Sequence, residues 1–163
     1  MRRTLAISVL VVLAMTSFLE GLAYAGEKFV LRATLHRAKG EMLEVGDPEG
    51  HRLGAFESVG VAFNTAGSGF LDTAQYVVLS NFSQSKTGVT AFGYKIFTMR
   101  DGSKAFARWD STRELADGRE GTFQFLAGTG QLEGLKGGGT WRVWQVAPGL
   151  LWDRIEGEYE LRR

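Results

Sequence analysis

The stretch GTGQLEGLKGGGTW, Gly128 to Trp141, contains six glycines in fourteen residues and decides how the rest of the chain is interpreted. A phosphate-binding loop requires Gly-x4-Gly-Lys-Ser/Thr, but here Lys136 follows Leu135 and precedes Gly137. A dinucleotide fingerprint requires Gly-x-Gly-x-x-Gly at the start of a helix, whereas here the third glycine comes one residue late and strand-like segments flank the stretch. We therefore do not interpret it as a nucleotide site.

The glycines are better explained by the path of the backbone. Gly128 and Gly130 are predicted to bend the chain out of the strand that contains Phe123 and Phe125, because glycine enters positive φ freely. The glycines that follow are predicted to mark bulges, corners or a close approach of two backbones. The predicted structural glycines are Gly128, Gly130, Gly134, Gly137 and Gly139.

Short alternating segments separated by turn residues continue along the chain, without a helical period of any length. Asp-Gly pairs at Asp101 and Asp117 are strong hairpin signals, and Pro48 and Pro148 lie in further turns. Hairpin-linked strands form an antiparallel meander, which closes into a barrel or folds into a sandwich to protect its edges. The predicted strands are Phe29–His36, Glu41–Val45, Leu53–Phe63, Phe70–Phe82, Val89–Met99, Ala105–Leu115, Gly121–Ala127, Thr140–Val146 and Leu150–Leu161.

The order of a Phe-containing strand, Gly-Thr-Gly, Leu-Glu-Gly and a further glycine-rich bend over Phe123–Trp141 resembles the allene oxide cyclase and dirigent-like β-barrel superfamily. This resemblance implies an all-β fold, a single small, closed, antiparallel barrel of eight strands. The segments predicted from the sequence itself would also allow nine strands. The resemblance also implies an apolar interior and, in some members, a homo-oligomer. Lipocalin-like barrels and an open sandwich are the alternatives; all four tryptophans lie in the second half of the chain, which does not fit the lipocalin pattern.

The first 25 residues have the features of a secretory signal peptide. Arg2 and Arg3 precede an apolar run over residues 5–15, and Ala23-Tyr24-Ala25 fits the small-x-small cleavage pattern. We predict cleavage after Ala25, a single barrel domain over residues 26–163, and a periplasmic or secreted location. The apolar run is short for a membrane span, so no stable insertion is expected after cleavage; an uncleaved membrane anchor is the alternative.

Composition excludes several functional classes. Removal of residues 1–25 takes away Arg2, Arg3 and Glu20, so the 19 basic and 18 acidic residues become 17 and 17. A neutral chain lacks the basic field that nucleic-acid binding requires. The chain has no cysteine, which excludes thiol catalysis and disulfides, and its two histidines, His36 and His51, have no second donor at a known metal spacing. We predict no metal and no cofactor.

Successive side chains of a strand point to opposite faces, so the predicted strands indicate which residues face the barrel lumen. Glu57 is the single charge in the row Leu53, Ala55, Val59 and Val61, and it is the candidate catalytic acid or base. The alternatives are a position at a wet rim or an error in the assigned register of the strand. The candidate ligand-lining residues are Tyr76, Tyr94, Trp109 and Arg142. The alternatives are structural hydrogen bonds for the tyrosines, core packing for Trp109, and an outward Arg142 lying over a tryptophan.

These observations give three functional hypotheses. The first is a barrel that binds an apolar or amphipathic small molecule in its lumen. The second is a cyclase or isomerase of a lipid- or polyketide-like substrate in the same lumen, which two ionisable groups meeting in a pocket would favour. The third is a filled barrel that acts as an interaction module of the cell envelope through its outer surface.

Overall fold

The computed structural model describes residues 26–161, which form one closed antiparallel β-barrel of eight strands. Each strand pairs with its neighbours in sequence, and β1 pairs with β8 to close the barrel. The predicted all-β barrel class is therefore confirmed. The strands are β1 Glu27–Glu44, β2 Arg52–Asn64, β3 Ala74–Ser85, β4 Gly88–Thr98, β5 Lys104–Leu115, β6 Gly118–Gly128, β7 Leu135–Ala147 and β8 Leu150–Leu161.

The barrel has eight strands where nine segments were predicted, because the first two segments are parts of one strand. β1 continues through Ala38 and Gly40 with a register shift between Arg37 and Lys39 as it pairs with β2. A bulge of this kind bends a strand without ending it. The polar and small residues at this point therefore belong to a bulge within β1 and not to a turn between two strands.

The third strand begins later than predicted. Residues 70–73 form a turn in which Leu71 and Thr73 both have φ of +55°, a region that side chains other than glycine rarely adopt. Leu71 is fully buried, so the turn carries a side chain into the core. Alternation alone did not separate this turn from the strand, because Phe70 has the same parity as the inward residues of β3.

The glycine stretch crosses from β6 to β7 through a single 3-10 turn, Gly130–Leu132. Gly130 and Gly134 have positive φ, at 60° and 77°. The prediction of positive φ was wrong for Gly128, where glycine is instead required because a Cβ atom would overlap the Leu132 carbonyl oxygen. Inside β7, a Cβ atom on Gly137 or Gly139 would overlap a carbonyl oxygen of β8, at Glu158 and Glu156 respectively. The glycines thus allow the backbones of these two strands to approach closely.

Aromatic side chains fill one end of the barrel. Phe70 stacks on Tyr159 with ring centroids 3.7 Å apart, and Phe29 contacts Phe70 at 5.0 Å. Phe123 and Phe125 complete the cluster with edge-to-face contacts. Such pairs add to the hydrophobic stabilisation, and they close this end of the lumen.

Within residues 26–161, no helix has the length and apolar character needed to cross a membrane. The predicted signal peptide lies outside the described residues.

Candidate functional site

The end of the barrel opposite the aromatic cluster contains a cavity of about 630 Å³. Its walls include Leu35, Phe56, Val78, Trp109 and Trp141, and it extends to the exposed β5–β6 and β7–β8 hairpins. A pocket of this size can enclose a small ligand. The lumen is therefore a blind pocket, closed by aromatic rings at one end and open between hairpins at the other.

Two charged side chains and a phenol meet in the buried part of this barrel end. Lys95 Nζ donates to Asp153 Oδ2 at 2.6 Å and to Tyr76 Oη at 2.6 Å. Tyr76 Oη in turn donates to the same Asp153 oxygen at 2.7 Å. Lys95 and Asp153 line the cavity, whereas Tyr76 is fully buried and lies behind them. We refer to Lys95, Tyr76 and Asp153 as the polar cluster.

The surroundings of the polar cluster are apolar. The side chains of Lys95 and Asp153 are 3% and 1% exposed. The Tyr76 ring stacks on Phe97 with centroids 4.6 Å apart, and Lys95 Nζ lies 5.0 Å from the centre of the Trp141 ring. A cation is attracted by the face of an aromatic ring, most strongly when both are desolvated. The ammonium group thus has aromatic as well as ionic neighbours.

Burial changes the acidities of the cluster. It lowers the pKa of Lys95, and the Asp153 carboxylate opposes part of this shift. It also raises the pKa of the Tyr76 phenol well above its usual value, with a further contribution from Asp153. The phenol is therefore held in its neutral, hydrogen-bonding form across the physiological pH range.

One polar atom of the cavity wall lacks a partner within the described part of the chain. Asp153 Oδ1 is buried and accepts no hydrogen bond from any described residue. Buried polar groups are nearly always satisfied, so Oδ1 is a candidate for contact with a ligand. Ser58 is also buried and lines the cavity, where its hydroxyl can donate or accept a hydrogen bond.

The tryptophans of the cavity wall are accommodated by glycines on neighbouring strands. Trp109 Nε1 donates to the Leu79 carbonyl at 3.3 Å across Gly93, where a Cβ atom would lie 2.9 Å from Nε1. A Cβ on Gly121 would similarly come within 2.8 Å of the Trp141 ring. Without these glycines the two indoles, which meet edge to face at 5.1 Å, would have to move into the lumen.

The mouth of the cavity has two cationic side chains over aromatic rings. The guanidinium of Arg37 lies 4.6 Å from the Phe56 ring centre, and that of Arg119 lies 4.5 Å from Phe82. Arg119 also pairs with Glu114 at 2.8 Å. The entrance is therefore amphipathic, with charges at the edge and aromatic faces beneath them.

Two of the residues predicted to line the lumen lie inside the barrel. Trp109 is a wall residue of the cavity. Tyr76 faces inward but is covered by the Lys95 and Asp153 side chains, so it orients them through hydrogen bonds and does not line the cavity.

The other three predicted residues point outward, which corrects their placement. Glu57 pairs with Lys39 at 3.8 Å on the outer face, while its neighbours Phe56 and Ser58 line the cavity. Tyr94 is 45% exposed on the outside of β4. Arg142 is exposed, pairs with Asp117 at 3.2 Å and lies over Trp144, as the outward alternative predicted.

The wrong parity on β2 has a physical reason. Its outward row, with Leu53, Val61 and Phe63, is more apolar than its inward row, and all three side chains are more than one-third exposed. The inward row contains Gly54, Ser58 and Gly60, because a barrel that keeps a cavity needs small residues there. The more apolar row of β2 therefore faces outward, and it was wrongly predicted to face the lumen.

Lys95 and Asp153 were not identified from the sequence, although a signal was present. Asp153 has the parity of Ile155 and Gly157, which form the inward row of β8. Lys95 likewise has the parity of the inward Ala91 and Phe97 on β4. In both strands a charged residue occupies a position that alternation assigns to the inward face. Only the tertiary structure shows that these two charged side chains contact each other.

Comparison with protein-family models and with curated proteins found no match to this chain. Within the described residues, no group of three or more His, Asp or Glu side chains is arranged to hold a metal ion. The fold and the site together define a small closed β-barrel with a one-ended lumen and a charge-paired polar cluster in its wall.

Proposed function

We propose that this protein binds an apolar or amphipathic small molecule in the barrel lumen. The observation that carries the proposal is the cavity of about 630 Å³, in which apolar and aromatic side chains surround Lys95, Asp153 and Ser58, and whose mouth carries further charged side chains. An apolar pocket with a few convergent polar groups is the usual form of a small-molecule site. The cavity gives no support to the alternative of a filled barrel.

We also propose that the barrel is related to the allene oxide cyclase and dirigent-like superfamily, and that residues 1–25 direct export of the processed chain. Support for the relationship comes from the strand number, the consecutive antiparallel order and the glycine stretch between β6 and β7. Support for export comes from the basic start, the apolar run and the Ala23-Tyr24-Ala25 pattern.

A substitution that fills the cavity tests the binding proposal. Ser58→Phe places a ring in the lumen, whereas Val59→Phe places the same ring on the outer face of the same strand. With the neutral fluorescent probe N-phenylnaphthylamine, we expect saturable binding to the wild type and to Val59→Phe. Ser58→Phe is expected to weaken binding by at least about tenfold. Equal binding by both variants, or no saturable binding by the folded wild type, would contradict the proposal.

The polar cluster favours a second candidate, an isomerase or cyclase acting in the same lumen. Lys95 and Asp153 are two ionisable groups in one cavity wall, and Asp153 Oδ1, which accepts no hydrogen bond from residues 26–161, is suited to proton transfer. Holding a flexible substrate in one reactive conformer would supply much of a cyclisation barrier. Recovery of a bound compound unchanged would favour the carrier; its conversion by the wild type but not by Asp153→Asn would favour the enzyme.

A further inference from the structure

The polar cluster restricts the chemical class of the ligand, and this inference rests on the proposed lumen-binding function. Lys95 Nζ and Asp153 Oδ2 are 2.6 Å apart, so the positive and negative charges of the two side chains compensate each other. The cavity wall therefore offers a ligand a pair of opposite charges with no net charge, in a region where neither side chain is solvated.

Among the described residues, one N–H of Lys95 and one oxygen atom of Asp153 remain without a hydrogen-bond partner. Lys95 has three N–H groups, of which two are given to Asp153 Oδ2 and Tyr76 Oη, and it donates to no other described residue. Asp153 Oδ2 accepts from both Lys95 and Tyr76, while Oδ1 accepts from no described residue. Because the two oxygens belong to one carboxylate, the free donor and the free acceptor are close neighbours.

A ligand group that satisfies both positions must donate and accept at once. A hydroxyl group or a primary amide does so without adding charge. A carboxylate only accepts, and it would bring a second negative charge against Asp153 in a medium of low dielectric. An ammonium group only donates, and it would meet the Lys95 cation.

We propose that the lumen selects lipophiles whose buried end is a neutral donor–acceptor group, a hydroxyl or a primary amide, and rejects those that end in a carboxylate. Lys95 donates to the oxygen of this group, and Asp153 Oδ1 accepts its O–H or N–H. Tyr76 is a positioning residue that fixes both side chains from behind. Ser58 also lines the cavity, and its hydroxyl can either donate a hydrogen bond to the ligand or accept one from it.

A panel of twelve-carbon ligands that differ only at one end tests the proposal. Dodecanol, dodecanamide, dodecanoate and dodecane are titrated against the full processed chain near neutral pH, below their critical aggregation concentrations. Fluorescence of Trp109 and Trp141 in the cavity wall, or calorimetry, reports binding. We expect the alcohol and the amide to bind at least about tenfold more tightly than the carboxylate and the alkane.

The double variant Lys95→Met/Asp153→Leu removes both charges together, which avoids an unpaired buried ion. We expect it to bind the alcohol and the alkane about equally. The matched control is Arg154→Met/Glu156→Leu, which removes an exposed ion pair of 2.7 Å from the outer face of the same strand. This control is expected to keep the preference of the wild type.

Asp153→Asn provides an independent test that retains the shape of the side chain. Loss of the negative charge leaves Lys95 uncompensated, so binding of dodecanoate is expected to strengthen relative to the wild type by at least about tenfold. No change in the affinity for dodecanoate in this folded variant would overturn the proposal.

The outcomes separate this inference from the proposed function. Equal binding of all four ligands, as expected if water satisfies the cluster, or tightest binding of the carboxylate, would overturn the selectivity and leave lumen binding in place. No binding of any ligand by the folded wild type would overturn both. A preference for the alcohol and the amide that disappears in the double variant supports the inference.

Discussion

At the scale of single residues, the buried pair Lys95 and Asp153 is the least expected feature of the barrel. Desolvation of two charges is costly, and their attraction repays it only with good geometry and further hydrogen bonds. Tyr76 supplies those bonds from behind, at 2.6 and 2.7 Å. The attraction between Lys95 and Asp153 therefore offsets their desolvation only while Tyr76 is also present.

Removal of one partner is expected to be much more damaging than removal of both. Lys95→Met leaves the Asp153 carboxylate buried without its counter-ion, so the free energy of unfolding should fall by about 3–5 kcal/mol. Lys95→Met/Asp153→Leu should remain within about 1 kcal/mol of the wild type or exceed it, because no charge is then buried. Urea denaturation followed by circular dichroism measures both.

The matched control is Arg154→Met, which breaks an exposed ion pair of 2.7 Å on β8. Pairs of this kind contribute about 0–1 kcal/mol. Equal costs for Lys95→Met and for the double variant would show that the Lys95–Asp153 charge pair is not coupled energetically.

At the scale of elements, close approach between strands depends on glycines that face inward. Gly93 on β4 lies under Trp109 of β5, and Gly121 on β6 lies under Trp141 of β7. β4 and β6 thus each leave space for an indole from the next strand. Turn residues and alternation in the sequence predicted the hairpins and most strand limits. The contacts between these glycines and indoles could not be predicted in this way, because they depend on the register of the paired strands.

Gly93→Ala is expected to destabilise the barrel by about 1–3 kcal/mol, as for other overpacked positions. The new methyl group would overlap the Leu79 carbonyl oxygen and press on Trp109, which donates to that same oxygen. Urea denaturation measures the loss, and near-ultraviolet circular dichroism reports the changed environment of the indole.

Gly46→Ala is the control for this variant. Gly46 has φ of +79°, and no atom of the described residues lies within 4 Å of its added Cβ, so its cost is the backbone strain alone, about 1–2 kcal/mol. Its near-ultraviolet spectrum should match that of the wild type. An unchanged spectrum for Gly93→Ala as well would contradict the packing described for Trp109.

At the scale of the whole molecule, closure of β1 on β8 removes every free sheet edge and creates one lumen. Aromatic rings fill one end of it, and the polar cluster and cavity occupy the other. An apolar row also lies outside, where Leu79, Phe92 and Tyr94 are each more than one-third exposed.

Native mass spectrometry of the chain recovered from its producing host tests export, assembly and binding together. We expect a polypeptide that begins at Gly26, as predicted from the Ala23-Tyr24-Ala25 pattern, and additional mass that is removed by organic solvent. A multiple of the chain mass would indicate self-association, for which the outer apolar row is the natural surface. A chain that retains residues 1–25 would contradict the predicted cleavage.

The sequence by itself determined the all-β class, the hairpins and the role of the glycine stretch as backbone geometry, because turn chemistry and alternation are local properties. It also placed Trp109 and Tyr76 inside. Only the tertiary structure decided which face of β2 is the lumen, since Glu57 lies in the more apolar row and yet points outward. It alone brought Lys95 and Asp153 together, because their strands meet across the lumen and not along the chain.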